Sequence, residues 1–164
     1  QIPAPDLDRE NLPPDERVGP SYQVFPVVYE PNYHEMEYFI PLDQAQDILL
    51  EMRKLMLRWL PKSVYPLEVR TVAAEDAWLS HSYQRDNLVV SICGEPGTDY
   101  WDYFRAADSL FAEFKGRAHW GKLHFMTGER VERLYPRYNN FVEMRRRFDP
   151  KGIFLNDHTR PLFA

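Results

Sequence analysis

Apolar side chains recur along this chain at two periods, two residues apart in some stretches and three to four in others, and the switches between them lay out the elements. Residues 34–40 alternate, with Met36, Tyr38 and Ile40 on one side and Glu35 and Glu37 on the other, which predicts a half-buried strand ended by Pro41. Asp43 then stands as an N-cap, and Ala45, Ile48, Leu49, Met52, Leu55, Met56 and Trp59 keep helical spacing until Pro61 stops the helix. A second strand is predicted over 66–73, with Leu67, Val69, Thr71 and Ala73 on one face and Glu68, Arg70 and Val72 on the other. The β-branched stretch 87–93 predicts a third, ending at Gly94-Glu95-Pro96-Gly97. Asp99 caps a second helix carrying Trp101, Phe104, Ala107, Leu110, Phe111 and Phe114 and closed by Gly116; residues 122–126 are short and apolar enough for a fourth strand.

The order strand, helix, strand, strand, helix, strand predicts an α+β fold: an antiparallel sheet in split βαβ order with the helices on one face. Two C-terminal helices are predicted over 128–134 and 136–148, the latter with Pro136 in its first turn. Residues 149–152 form a turn, and 153–155 add an edge strand. At the other end, residues 1–33 read as an arm or linker. Seven prolines between Pro3 and Pro31 oppose both helix and ladder, and Tyr22, Val24 and the stretch 27–29 are apolar enough to dock on a neighbouring surface. Opening at Gln1 rather than Met, the sequence is expected to be a processed or cut piece of a longer polypeptide.

With 164 residues, 44% of them apolar, the chain can bury one core. A formal charge of -5 argues against a nucleic-acid partner, and Arg145, Arg146 and Arg147 read as a solvated helix face. The single Cys93 excludes an internal disulfide and fits a reducing, cytoplasmic setting. No apolar stretch approaches the roughly 20 residues needed to span a bilayer.

Glu68 and Arg70, two apart on a strand, emerge on one face about 6 to 7 Å apart. They read either as an ion pair on an exposed strand or as a clamp for a polyol or lactone, the carboxylate accepting hydroxyl hydrogens and the guanidinium donating to oxygen. Lys122 follows His119, Trp120 and Gly121, a glycine that lets the backbone pass close to something flat or bulky. It reads either as a surface lysine or, if buried, as a base or tuned cation beside a cofactor. His119 by itself reads as structural. Ser91 and Cys93 share a face of the third strand with nothing local to activate either as a nucleophile. The chain has no GxGxxG, Walker loop, HExxH or CxxC, and His81, His119, His124 and His158 lack the spacing of a ligand set, so no metal site is expected. Hard redox chemistry would come from a cofactor bound mainly by another domain.

Five segments in this order resemble the C-terminal half of the sugar-1,4-lactone oxidases and dehydrogenases, close to the alditol oxidases of the vanillyl-alcohol oxidase flavoprotein superfamily. They are Glu35-Met-Glu-Tyr-Phe-Ile-Pro41; Glu68-Val-Arg70 through Ala73-Ala-Glu-Asp76 to Trp78-Leu-Ser80; Tyr83-Gln-Arg-Asp86; His119-Trp-Gly-Lys122; and Phe148-Asp-Pro-Lys-Gly-Ile-Phe-Leu-Asn156. The resemblance implies a substrate cap over residues 34–126 and a helical return segment over 127–164. It also implies FAD held mainly by a domain absent from this chain, with that domain and a sugar lactone or polyol as partners. Glu68, Arg70, Ser91 and Lys122 are then expected to bind substrate, Glu68, Arg70 and Lys122 to serve catalysis, and His119 and Lys122 to lie at the cofactor. The implied reaction is hydride transfer from a carbinol carbon to flavin by the full protein, this chain alone being inactive. An alditol-oxidase cap and a non-catalytic α+β binding module are the alternatives. Ser91 and Cys93 stand where alditol oxidases carry His and Thr, and Arg117-Ala118 stands where Arg-Pro is usual. The sheet face bearing Glu68 and Arg70, with Tyr22 and Val24, is expected to be uncovered in this chain.

Overall fold

A computed structural model describes residues 19–20, 33–60 and 65–164. The chain divides into two compact units, Gln1–Asn32 and Tyr33–Ala164; the predicted arm, with Tyr22 and Val24, lies almost wholly outside the described residues, as does Pro61. In the second unit, the alternating stretch forms β1 (His34–Pro41) and a 3-10 turn (Leu42–Gln44) leads into α1 (Ala45–Arg58). Then come β2 (Glu68–Val72), β3 (Asn87–Gly94), α2 (Trp101–Glu113) and β4 (Arg117–Ala118), followed by α3 (Gly128–Leu134), α4 (Tyr138–Phe148) and α5 (Arg160–Phe163). The sheet order is β2-β3-β1-β4 with every pairing antiparallel, the split βαβ arrangement predicted.

One face of this sheet makes the core. Met36, Tyr38 and Ile40 of β1 and Leu88, Val90 and Ile92 of β3 pack with Ile48, Met52 and Leu55 of α1 and Phe104, Ala107 and Phe111 of α2. Each Val, Leu, Ile, Met or Phe side chain among them contributes about 1.5–3 kcal/mol of hydrophobic stabilisation when fully buried. Beneath it, Asp108 accepts both oxygens' worth of bonds from the Arg130 guanidinium at 2.9 Å and a further one from the Tyr38 hydroxyl, tying α3 to α2 and β1.

The structure corrects several local expectations. Asp43 sits inside the 3-10 turn, and α1 begins after Gln44 with no side-chain cap. Likewise α2 begins after Tyr100 without a side-chain cap, so Asp99 is not its N-cap. That helix closes by a Schellman turn in which Lys115, not a glycine, takes the left-handed conformation (φ 54°), while the Gly116 N–H reaches the Phe111 carbonyl at 2.8 Å and the Lys115 N–H the Ala112 carbonyl at 3.1 Å. Gly116 is required for space: a Cβ there would lie 2.8 Å from the Phe111 carbonyl oxygen and 2.9 Å from Ile40. Pro136 precedes α4 rather than opening it, and residues 153–155 form no strand, because the Asp149 carboxylate takes the Ile153 and Phe154 N–H groups at 2.7 and 3.0 Å and folds them into a turn.

The predicted fourth strand is displaced. The edge of the sheet is Arg117–Ala118, and 122–126 is irregular. Tyr38 stands opposite Ala118, and the Glu37 carbonyl accepts from His119 in register at 2.9 Å. The Glu35 carbonyl then accepts from Leu123 at 2.9 Å, where an unbroken ladder would bring Gly121. Two extra residues are therefore folded into this edge, a special bulge that returns the chain over β1 with Lys122 beside it.

Candidate functional site

Among the described residues, no helix packs across the second sheet face. Because side chains alternate, antiparallel pairing places Glu68 of β2, Ser91 of β3 and Glu37 of β1 in one row across the strands, and the His119 bond to Glu37 extends that row onto the fourth. The flanking rows are Arg70, Val89, Phe39 and Arg117 on one side and Cys93 with Glu35 on the other. Glu68, Arg70, Ser91, His119 and Lys122, scattered over 55 positions of sequence, thus share one surface. As expected, Glu68 and Arg70 are exposed on it rather than packed beneath helices.

Arg70, Ser91 and Lys122 are partnered by two carboxylates, Glu35 and Glu37, that the pattern of the sequence did not single out. Glu37 is completely buried, and its oxygens are divided between two cations: Oε1 accepts from Arg70 Nη2 at 2.6 Å and Oε2 from Lys122 Nζ at 2.8 Å. Glu35 accepts from the same Lys122 Nζ and from Ser91 Oγ. Glu68 has no hydrogen bond or ion pair among the described residues, so the same-face pair with Arg70 is not formed. Glu68, Arg70, Val89 and Ser91 line a shallow cleft of about 190 Å³. Burial opposes the charge on Lys122, but hydrogen bonds and charge from Glu35 and Glu37 outweigh it and raise its pKa above the ordinary lysine value. Lys122 is accordingly held as an ammonium. Cys93 is pushed up to about 11 by burial, then by Glu35 and Glu68, which leaves an inert thiol.

Beyond β1 the face is closed by the loop 73–86. Arg117, buried, donates to the carbonyls of His81 (3.1 Å), Tyr83 (3.0 Å) and Leu134 (3.0 Å), while Arg85 donates to the Phe39 carbonyl at 2.8 Å and to Asn87 Oδ1 at 2.9 Å. Trp120 adds an indole bond to the Leu79 carbonyl at 2.8 Å. The loop so held stacks His81 between Phe39 (ring centroids 4.3 Å apart) and His119 (5.2 Å). His119 is half-buried, its Nδ1 accepting from the Gly121 N–H at 3.1 Å, and burial lowers its pKa. Of the remaining histidines, His124 and His158 lie against each other with ring centroids 4.9 Å apart and planes tilted by 48°. Gly121 is exposed, and a Cβ there would meet only the His119 ring, at an ordinary 3.4 Å.

Fold and site together define a class: a split βαβ α+β domain with a row of paired acids and cations on the sheet face opposite its core. The chain belongs to the D-arabinono-1,4-lactone oxidase family, whose profile matches residues 7–162. It is 35% identical over 140 residues to an L-gulono-1,4-lactone dehydrogenase of Mycobacterium tuberculosis, covering 85% of this chain and 33% of that protein. A mouse L-gulonolactone oxidase is 34% identical over 152 residues (87% of this chain, 34% of that protein), and a Streptomyces alditol oxidase 30% over 129 (78% and 31%). The chain spans about a third of the length of the curated relatives it matches. Among the described residues, no helix is long and apolar enough to cross a membrane.

Proposed function

We propose that this chain is the substrate-facing cap of an FAD-dependent oxidoreductase that oxidises a sugar 1,4-lactone, its open sheet face closing against a flavin held by another domain of the same polypeptide. The observation that carries this reading is the row on which Glu68, Ser91, Glu37 and His119 align, with Arg70 and Lys122 anchored beside it. The face fits the redox ring and substrate but not the whole cofactor. Arg70 and Lys122 suit negative charge developing on a ring or hydroxyl oxygen, and the His119 edge of the aromatic stack offers flat surface, whereas the chain has no glycine-rich phosphate loop. Residues 34–126 would form the cap and 127–164 the return to the cofactor domain.

When bound, FAD supplies the hydride acceptor. This chain's residues do the positioning. Glu68, its carboxylate uncommitted among the described residues, accepts substrate hydroxyl hydrogens. Arg70, half-exposed beyond its bond to Glu37, donates to substrate oxygens. Ser91, whose hydroxyl hydrogen is given to Glu35, meets substrate only as an acceptor. Lys122 balances negative charge beside the ring, with His119 next to it. Being an ammonium, Lys122 cannot take the hydroxyl proton, which passes to a carboxylate or to water. Alone, the chain would be inactive. A cytoplasmic setting belongs to the same reading, supported by the free thiol of Cys93.

The test is to purify the full-length polypeptide, record its visible absorbance, and assay L-gulono- and D-arabinono-1,4-lactone against xylitol. A yellow protein bleached by a lactone is expected. A colourless protein that takes up no FAD would refute the flavoenzyme reading, and reduction by xylitol in preference to either lactone would move it to the alditol oxidases.

A further inference from the structure

We propose that Glu37 is the positioning residue of this site, a single buried carboxylate that holds the Arg70 guanidinium and the Lys122 ammonium in one fixed arrangement. Its catalytic consequence rests on the reading above; the clamp itself does not. The side chain is fully buried at the centre of the row, and each oxygen is bound by one cation. Arg70 and Lys122 arrive from opposite sides. Arg70 crosses β3 from β2, passing its cross-strand partner Val89, and Lys122 returns from the two-residue bulge at the far edge. No other described group is bonded to both. A carboxylate without solvent tolerates burial only when fully paired, so Glu37 is committed to both cations at once. Glu35 differs, since it shares Lys122 but gives its second interaction to Ser91.

The groups that face Lys122 are Glu35 and Glu37 from β1, Cys93 from β3 and His119 from its own loop, with Arg70 acting on His119 from β2. Glu37→Gln keeps the shape and removes the charge, and the amide nitrogen must then turn toward one of the cations.

The first measurement is NMR of the full chain with isotope-labelled lysine and arginine. In the wild type, Lys122 should titrate above the ordinary lysine value, and the Arg70 guanidinium should rotate slowly about Nε–Cζ. Glu37→Gln should lower the Lys122 midpoint and free Arg70; Glu35→Gln should lower the Lys122 midpoint but leave Arg70 slow. An Arg70 signal indifferent to Glu37→Gln, or moved equally by Glu35→Gln, would overturn the proposal. Should Glu37→Gln fail to fold, Arg70→Gln must raise the Lys122 midpoint, because Glu37 then faces a single cation; an unmoved midpoint counts against the clamp. In the full-length protein, Glu37→Gln is expected to lower kcat/KM for the lactone about 100-fold, the usual cost of misplacing reacting groups. Added to Arg70→Ala with Lys122→Ala it should cost less than about threefold more, there being nothing left to position. The full loss persisting without either cation would show Glu37 acting in some other way. A full-length protein inert to every lactone would sink the flavoenzyme reading while leaving the clamp to the NMR result.

Discussion

His81 lies between the Phe39 and His119 rings, with the Trp120 N–H given to its Nε2 at 3.3 Å. Burial, then the neighbouring His119 and Arg117, hold its pKa down to about 4, and His124, buried beside His158, is likewise lowered to about 4. Both rings are therefore neutral in the folded chain where the unfolded chain, titrating near 6.5, already takes up protons. Stability should be constant above about pH 6.5 and fall as pH drops from there toward 4, since the unfolded state binds more protons throughout that window. Urea titrations at intervals of half a pH unit should show this slope, and His81→Phe, which can keep the stack, should flatten it. A slope unchanged by the substitution would mean that the ring is protonated in the fold. The residue scale is also where sequence reading stopped short. Alternation in β1 put Glu35 and Glu37 on the side away from the core, which is correct, but period 2 says only which face a side chain takes. What lies over that face is decided by Arg70 and Lys122, 33 and 85 positions away, so Glu37 looked like a solvent-facing acid and is buried.

At the scale of elements, β1, α1, β3 and α2 were legible because each carries its own periodic stripe into one core. The fourth strand was not. Residues 122–126 have the composition of a strand, but the edge next to β1 is taken by Arg117–Ala118, with register fixed by the tertiary bonds to Glu37 and Glu35. The caps failed for a related reason: α1 is entered through a 3-10 turn whose Leu42 N–H is bound by the Asp86 carbonyl of a distant loop at 3.0 Å, leaving Asp43 no capping position. Two glycines separate what the fold needs from what it permits. Gly116→Ala would force a methyl against the Phe111 carbonyl and should cost about 1–3 kcal/mol, as overpacking does. Gly121→Ala meets only ordinary contact and should leave stability within about 0.5 kcal/mol. Thermal melts of the two variants check the contrast, and equal losses would mean that the bulge is as tightly packed as the helix end.

For the molecule as a whole, the two sheet faces set the argument. The core face is sealed by α1 and α2, while the other leaves Glu68 and Arg70 exposed and carries a charge row balanced between Glu35, Glu37, Arg70 and Lys122, with Glu68 in excess. Pairing the buried Glu37 with two cations offsets the cost of desolvating it and adds little net stability, so the row is no evidence of a stabilising device. About two thirds of each relative's length lies outside the part this chain matches. If the proposed cofactor domain closes on this face, a thiol placed at Glu68 is open to maleimide in the present chain and shielded in the full-length protein. Glu68→Cys in a Cys93→Ser background should label at least about tenfold more slowly in the longer polypeptide, whereas a thiol at Lys54, on the exposed side of α1, should label at the same rate in both. Equal rates at residue 68 would leave the face uncovered and remove the geometric basis for a shared active site, whatever activity the full-length protein shows. Protection at residue 68 without any at residue 54 would instead locate the cover on the acid-and-cation row, where Arg70 and Lys122 already stand paired before anything arrives.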